Sequence, residues 1–556
     1  MKNYIIKGLA SLFLVGSMAS CSDDYLNTEV IGAIDSDRIA STVENAKKTL
    51  YGACWTMYYI NEAVPAQPYM GGESAMAMFY GEAPGQDCLD SFITCNPQTR
   101  GGWNMFFKME QINNSDYIWT QSMWVYAYQI IGQCNELLAQ IDGAEGSPIE
   151  RDMVKAEALT MRAHAYWRLM QCYAPRWEDS QEGNAPCVVF RLEPTTADMP
   201  VVSCNVVYDQ LYKDLEWATE AYEVAEENGF KPEFHWEPSK NVCYGTFARI
   251  ALLKNDWETA ATMANKAREG YSLMSNDEYR LGHCIPNGEW MWWNSQSSKD
   301  SLVYCDWGTA WTANGYYACN TEWGGLRINI DLYDLIPETD MRRDFFLTED
   351  KMGQTRDKMY DPKVVSSDDQ KIIQTRALKK AKDWMLEITP EGYGTPYLQK
   401  KDDAIPLIAF GTSMKFLSAN GETGPAAPAY MRAAEMYLTE AEALAMQGGK
   451  DAQAQAIMNE LNKVRDAEYN CTATGDELIK EIRLYRRIEL WGEGFNWFDL
   501  KRWNEPIVRR IWKANDPTSG NYPSWMEAEL STTVGNGWTY AIPKAETQYN
   551  KLTPEI

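Results

Sequence analysis

The sequence has little of what most catalytic and metal centres are built from. Its 556 residues include only three histidines, His164, His235 and His283, and none stands in a metal-binding spacing. There is no Cys-x-x-Cys pair, no Gly-x-Ser-x-Gly elbow and no phosphate-binding glycine loop. The usual signatures of zinc modules, serine hydrolases and nucleotide sites are therefore missing. Cations are also scarce. With 52 Lys and Arg against 78 Asp and Glu, the net charge is -26, which repels polyanions and argues against a nucleic-acid partner. A neutral ligand held by shape and hydrogen bonds suits this balance better.

What is present begins with a leader. Lys2 and Lys7 supply a positive region, and Ile5 to Val15 is mostly apolar and too short to span a bilayer, so residues 1–20 read as a processing signal. Met18-Ala19-Ser20-Cys21 follows, and it resembles a bacterial lipobox in which the Cys21 thiol accepts a diacylglycerol. Two or three acyl chains give lasting membrane attachment where one does not. Twelve further cysteines run from Cys54 to Cys471. The pairs nearest in sequence are Cys88 with Cys95 and Cys305 with Cys319, but a chain of this size needs no staples, and free buried thiols are the expectation.

Helical periodicity marks the scaffold. In "AEALTMRAHAYWRLMQCYA" one apolar stripe is Leu159, Ala163, Tyr166, Met170, Tyr173, and a second is Ala158, Met161, Ala165, Leu169, Cys172. Two stripes predict a helix packed on both sides, with His164 a hydrogen-bonded core residue. "YGTFARIALLKNDWETAATMANKA" breaks at Lys254-Asn255-Asp256 into two short helices whose alanines (Ala248, Ala260, Ala264, Ala267) permit close approach. This pattern resembles a tetratricopeptide repeat. "YMRAAEMYLTEAEALAMQGGKDAQAQAIMNELNKVR" repeats the plan, with a helix expected from Tyr430, a turn at Gly448-Gly449 and a second helix. The expected fold is mostly α: a tetratricopeptide-like helical scaffold over about 36–275 and 425–556, with a large irregular, loop-rich insertion over about 275–425 forming the ligand-binding face.

That insertion is rich in rings. Six tryptophans (290, 292, 293, 307, 311 and 323) and Tyr304, Tyr316 and Tyr317 are interleaved with Asn294, Gln296, Asn314 and Asn320. A pyranose has a C–H face that packs on an aromatic ring and a rim of hydroxyls that needs donors and acceptors. Rings with neutral amides supply both, and adjacent Trp292 and Trp293 face opposite ways on a regular strand.

Near the C-terminus, "RLYRRIELWGEGFNWFDLKRW" (Arg483 to Trp503) carries Arg-Arg, Glu-Leu, Glu-Gly, aromatic-Asp-Leu and Arg-Trp in order. It resembles the hallmark of the SusD/RagB family of outer-membrane nutrient-binding lipoproteins. "MWVYAYQIIGQCNELLAQI", "VYDQLYKDLEWA", "DMRRDFF" and the closing "AIPKAE" agree with the family in order. Read physically, Arg486, Arg487, Glu489 and Glu493 set opposite charges within salt-bridge reach on one helix, and the motif is expected to be an ion-pair clasp joining terminal helices, structural rather than catalytic.

The resemblance implies a single unit over 21–556, a non-catalytic protein anchored through Cys21 at the outer membrane and facing outward; no cofactor and no metal ligands are assigned, and whether calcium assists stays open. The acidic "SDDYL" behind Cys21 resembles the surface-export signal of lipoproteins in the Bacteroidota. It further implies oligosaccharide binding and a SusC-like TonB-dependent transporter as partner. Positions expected to bind ligand are Trp292, Trp293, Trp307, Trp311, Trp103, Tyr316, Asn104, Tyr80 and Asp87. An oligopeptide ligand, as in the RagB branch, and a two-carboxylate glycoside hydrolase are the alternatives.

Overall fold

The computed structural model describes residues 40–58, 72–90, 109, 112–295, 311–314, 326–352, 380–381, 383–393, 410–419, 426–513, 516–522, 526–532 and 537–553. Helices dominate, as periodicity predicts. In chain order the longer ones are α1 (Val43–Tyr58), α2 (Gly72–Ala77), α3 (Ile118–Leu138), α4 (Pro148–Tyr173), α5 (Cys204–Glu227), α6 (Lys240–Leu253), α7 (Trp257–Arg268), α8 (Ala433–Met446), α9 (Asp451–Arg465), α10 (Gly475–Glu489) and α11 (Asn496–Trp503).

The two-striped segment is α4. Ser147 caps its first turn by accepting from the Glu150 amide, Pro148 opens it, and every residue from Ala156 to Tyr173 is buried. It is sandwiched between α3 and α5. Three of the charged or titratable groups it carries inward are matched: Arg162 meets Asp214 at 2.6 Å, and Arg168 and His164 meet Glu73 of α2 at 2.6 and 3.0 Å.

The break at residues 254–256 has a simple cause. Asn255 takes a left-handed conformation (φ 60°), and the Asp256 carboxylate accepts from the Thr259 amide to start α7. The buried alanines Ala248, Ala260, Ala264 and Ala267 let α6 and α7 lie close. In turn α7 packs on α8, although about 165 residues separate them, and α8 packs on α9. The helical layers therefore continue across the intervening segment.

Strands are short and come in antiparallel pairs. β1 (Cys88–Asp90) pairs with β5 (Leu326–Ile328), β2 (Pro186–Val189) with β3 (Val201–Ser203), β4 (Trp290–Trp293) with β6 (Ala429–Arg432), and β7 (Ile507–Arg509) with β8 (Ala528–Leu530). β6 corrects one expectation, because Tyr430 to Arg432 are extended and α8 starts only at Ala433. Pairing with β4 and the pull of buried acids on Arg432 override the helical pattern there. A second, smaller apolar cluster (Leu347, Trp384, Met385, Met414 and Leu417) lies apart from the main core. Cys54, Cys134, Cys172, Cys187, Cys204, Cys243, Cys284 and Cys471 are free and buried.

Candidate ligand-binding site

The rings at 290–293 are sorted by the alternation of β4. Trp292 is wholly buried, its indole N–H donating to the Trp236 carbonyl at 2.8 Å and its ring edge-on to His164 and Tyr430. Trp293 faces the other way, half-buried, and lies flat on His235 with ring centroids 3.4 Å apart and planes within 8°. His235 is itself exposed and belongs to the loop between α5 and α6.

That loop brings two more rings. Phe234 and Trp236 stack at 4.8 Å and 8°, and Tyr51 of α1 meets Trp236 edge-on at 4.7 Å. One turn further along α1, on the same face, Trp55 is 54% exposed, and Phe234 is 39% exposed. The loop is shaped by Glu237, which turns back to accept from the amides of Glu233 (3.1 Å) and Phe234 (2.7 Å). Half-buried Asn294 and exposed Ser295 continue directly from Trp293. Tyr51, Phe234 and Trp236 meet one another, His235 and Trp293 continue from them, and together they form a partly exposed aromatic surface, with Trp55 one turn along α1 and amide and hydroxyl groups at its edge. Sequence reasoning missed all of these but Trp293. The available signal was "FKPEFHWEP", three rings in an aperiodic, proline-flanked loop between two helices.

Other expected positions lie elsewhere. Trp292 and Trp311 are core residues, Trp311 packing edge-on to Phe79 at 5.6 Å. Tyr80 is buried beneath α3, its hydroxyl donating to the Trp119 carbonyl and accepting from the Met123 amide. Asp87 is buried in an ion pair, accepting from Arg487 at 2.6 and 2.8 Å and from the Asn496 amide. A ring with no accessible face cannot stack on a sugar, and a carboxylate clamped by a guanidinium has no free acceptor. These four therefore leave the site. Trp103, Asn104, Trp307, Tyr316 and Cys21 lie outside the described residues.

The Arg483–Trp503 motif is also corrected in detail. Arg486, Arg487, Glu489 and Glu493 do not pair with one another, and the motif's pair within one helix is Arg502 with Asp499 of α11 at 2.7 Å. α10 ends at Glu489, and the chain turns through Gly492 and Gly494 at φ 75° and 90°. Glu489 accepts from Arg342 and Arg432, both at 2.8 Å, with Arg465 at 3.4 Å. Glu493 accepts from Arg432 at 2.6 Å and from Lys415 at 2.7 Å. Arg486 pairs with Asp499, and Arg487 with Asp87. Burial alone would raise the Glu489 carboxyl, but the guanidiniums around it hold it well below the usual range. Against the same burial, Arg432 and Lys415 bring Glu493 down to about 2.

Beside this centre is a small cavity of about 40 Å³, lined by Glu73, Arg168, His283, Tyr430, Glu435 and Glu493. Each of its carboxylates is occupied: Glu73 by Arg168 and His164, Glu435 by Arg249, and Glu493 by Arg432 and Lys415. Among the described residues no group of three or more His, Cys, Asp or Glu is placed to hold a metal ion, and no helix is long and apolar enough to cross a membrane.

Comparison with known proteins agrees with this architecture. Residues 323–553 match the model described as the SusD family, and residues 86–252 match the model described as starch-binding associating with outer membrane. A SusD-like carbohydrate-binding protein from Bacteroides vulgatus superposes with a TM-score of 0.68 at 22% identity, covering 92% of this chain and 97% of that one. A SusD superfamily protein from Bacteroides thetaiotaomicron gives 0.64 at 16%, covering 92% and 99%. A laminarin-binding SusD-like protein gives 0.59 at 17%, covering 91% and 98%. A search of curated proteins returns no match. Helical layers, the Arg-Arg/Glu-Leu/Glu-Gly motif and the two family matches together make this chain a member of the SusD/RagB family.

Proposed function

We propose that the protein is a non-catalytic, lipid-anchored outer-membrane protein that binds oligosaccharides and hands them to a SusC-like TonB-dependent transporter. The observation that carries the ligand class is the exposed aromatic surface of Trp55, Phe234, His235, Trp236 and Trp293. Such rings offer flat faces to the C–H side of a sugar, while Asn294 and Ser295 offer groups to its hydroxyls. Trp103, Asn104, Trp307 and Tyr316 are proposed to extend this contact. The family descriptions and the laminarin-binding relative support a glycan, and none of these descriptions names a peptide. Anchoring through Cys21 and an outward orientation are part of the same reading, supported by the lipobox and by the family description of outer-membrane association. A non-catalytic role is supported by the cavity carboxylates, which are held in ion pairs and carry no free acid and base.

The test is titration calorimetry of the mature chain with laminarin and starch oligosaccharides, together with a Trp293→Ala/Phe234→Ala variant. The variant is expected to lose at least about tenfold in affinity, since stacking contacts are worth ~1 kcal/mol or more each, with its thermal midpoint unchanged. Undiminished affinity in that variant would exclude this surface as the ligand site.

A further inference from the structure

The ribbon formed by β2 and β3 holds two cysteines that the overall architecture does not require. Cys187 lies in β2, and Cys204 is the first residue of α5, directly after β3. Pro186 faces Ser203 across the ribbon, and the Cys204 amide donates to the Ala185 carbonyl at 3.0 Å. The two side chains therefore leave the same face of the ribbon. The register breaks between Pro186 and Val189, and the chain turns into α5 directly after Ser203, so the two cysteines lie on adjoining positions of one ribbon face. Both residues are buried.

Their environments differ in a way that suits exchange chemistry. Cys204 sits at the amino end of a 24-residue helix, where the peptide dipoles favour a thiolate. Contact with Cys187 lowers the Cys204 thiol below its ordinary value, with Lys501 adding to the effect. The helix amino end favours Cys204 as the nucleophile, with Cys187 as the resolving partner. The ammonium of Lys501 is itself fixed by the carbonyls of Gln171 and Ala174 at 2.8 and 2.9 Å.

We propose that Cys187 and Cys204 form a dithiol site that is converted to a disulfide by a disulfide-bearing oxidant, either a small-molecule disulfide or the disulfide of a thiol oxidase. The Cys204 thiolate attacks one sulfur of the oxidant. The oxidant's S–S bond breaks, and one thiolate leaves and takes up a proton. Cys187 then gives up its proton and attacks the Cys204 sulfur, and the second oxidant sulfur leaves as a thiol. Two protein thiols are oxidised to one disulfide, and one disulfide is reduced to two thiols. Because both sulfurs are buried, exchange occurs as the ribbon forms or opens. The cross-link closes the loop 188–203, whose Met199 exchanges hydrogen bonds with Asn550 and whose Arg191 pairs with Glu546. It therefore locks the ribbon that holds the C-terminal segment.

The experiment uses the mature chain refolded in a glutathione redox buffer or in dithiothreitol, then unfolded in acid, alkylated and mapped by peptide mass spectrometry. The expected result is a peptide pair joined through Cys187 and Cys204 with loss of two hydrogens in the oxidised sample only, and a thermal midpoint a few degrees higher in that sample. The Cys187→Ser variant is expected to trap glutathione on Cys204. Should that variant fail to fold, the wild-type map alone decides. Alkylation of both cysteines after oxidation, or a stable glutathione adduct on Cys204 in the wild type, would overturn the assignment.

Discussion

The Glu157 carboxyl lies on the fully buried stretch of α4, and neither of its oxygens meets a hydrogen-bond donor among the described residues. Burial, then the neighbouring Glu237 carboxylate, raise it well above the ordinary value. Lys47 lowers it and Glu150 raises it again. Lys47 is already engaged by Glu150 at 2.6 Å, so it offsets little. The folded protein therefore holds a proton here that the unfolded chain releases near pH ~4.3. The unfolded state binds fewer protons above that pH, so this group's contribution to stability falls as pH rises from about 5. Glu157→Gln removes the titration. Its thermal midpoint is expected to exceed that of the wild type at pH 8 and to converge with it near pH 4, as read by calorimetric melts across that range. Parallel melting curves would show that Glu157 finds a counter-charge. None of this is legible from residue types, because a glutamate beside alanines on a helix reads equally well as its solvent edge. Direction is equally hidden for the indoles. The alternation between Trp292 and Trp293 was predictable, but which of them faces the core was set by where His164, Trp236 and Tyr430 lie.

At the scale of elements, helix boundaries were legible where local chemistry sets them. The break at residues 254–256 is an example, since a left-handed Asn and an Asp cap are written in three adjacent residues. Asp256 also accepts from the Tyr212 hydroxyl of α5 at 3.0 Å, so one carboxylate both caps α7 and ties it to the preceding layer. Asp256→Ala is expected to cost about 1 kcal/mol from the cap alone and somewhat more from the lost tyrosine bond. Asp256→Asn, which can still cap, should recover most of that loss. Denaturant melts of the three proteins check the order. Boundaries set by distant segments were not legible. β6 looks helical in isolation and becomes a strand because β4, about 140 residues away, supplies its partner. The loop between α5 and α6 likewise became a candidate site only when α1 and β4 were placed beside it.

For the whole molecule, the decisive feature is the charge centre around Glu489. Arg342, Arg432 at the end of β6 and Arg465 at the end of α9 reach its carboxylate, and Lys415 reaches its backbone carbonyl, so four separate stretches of chain converge on this one residue. The Arg-Arg and Glu-Gly motif announced a structural ion-pair cluster, but not the partners of Glu489, because those are 24 to 147 residues away along the chain. Removing the charge while keeping the shape, in Glu489→Gln, leaves three buried guanidiniums without their shared counter-ion. Such a loss costs ~3–5 kcal/mol at a buried pair, so a lower thermal midpoint and reduced soluble yield are expected. Replacing a single contributing arginine should cost less, because the remaining guanidiniums still face Glu489. The pH dependence supplies a second readout. Glu489 and Glu493 are both depressed in the folded state, so their contribution is complete above about pH 4.5 and is lost as pH falls towards 2. The acid limb of the wild-type stability curve should therefore be steep, and that of Glu489→Gln shallower. Equal acid slopes in the two proteins would show that the carboxylate is not what balances these arginines.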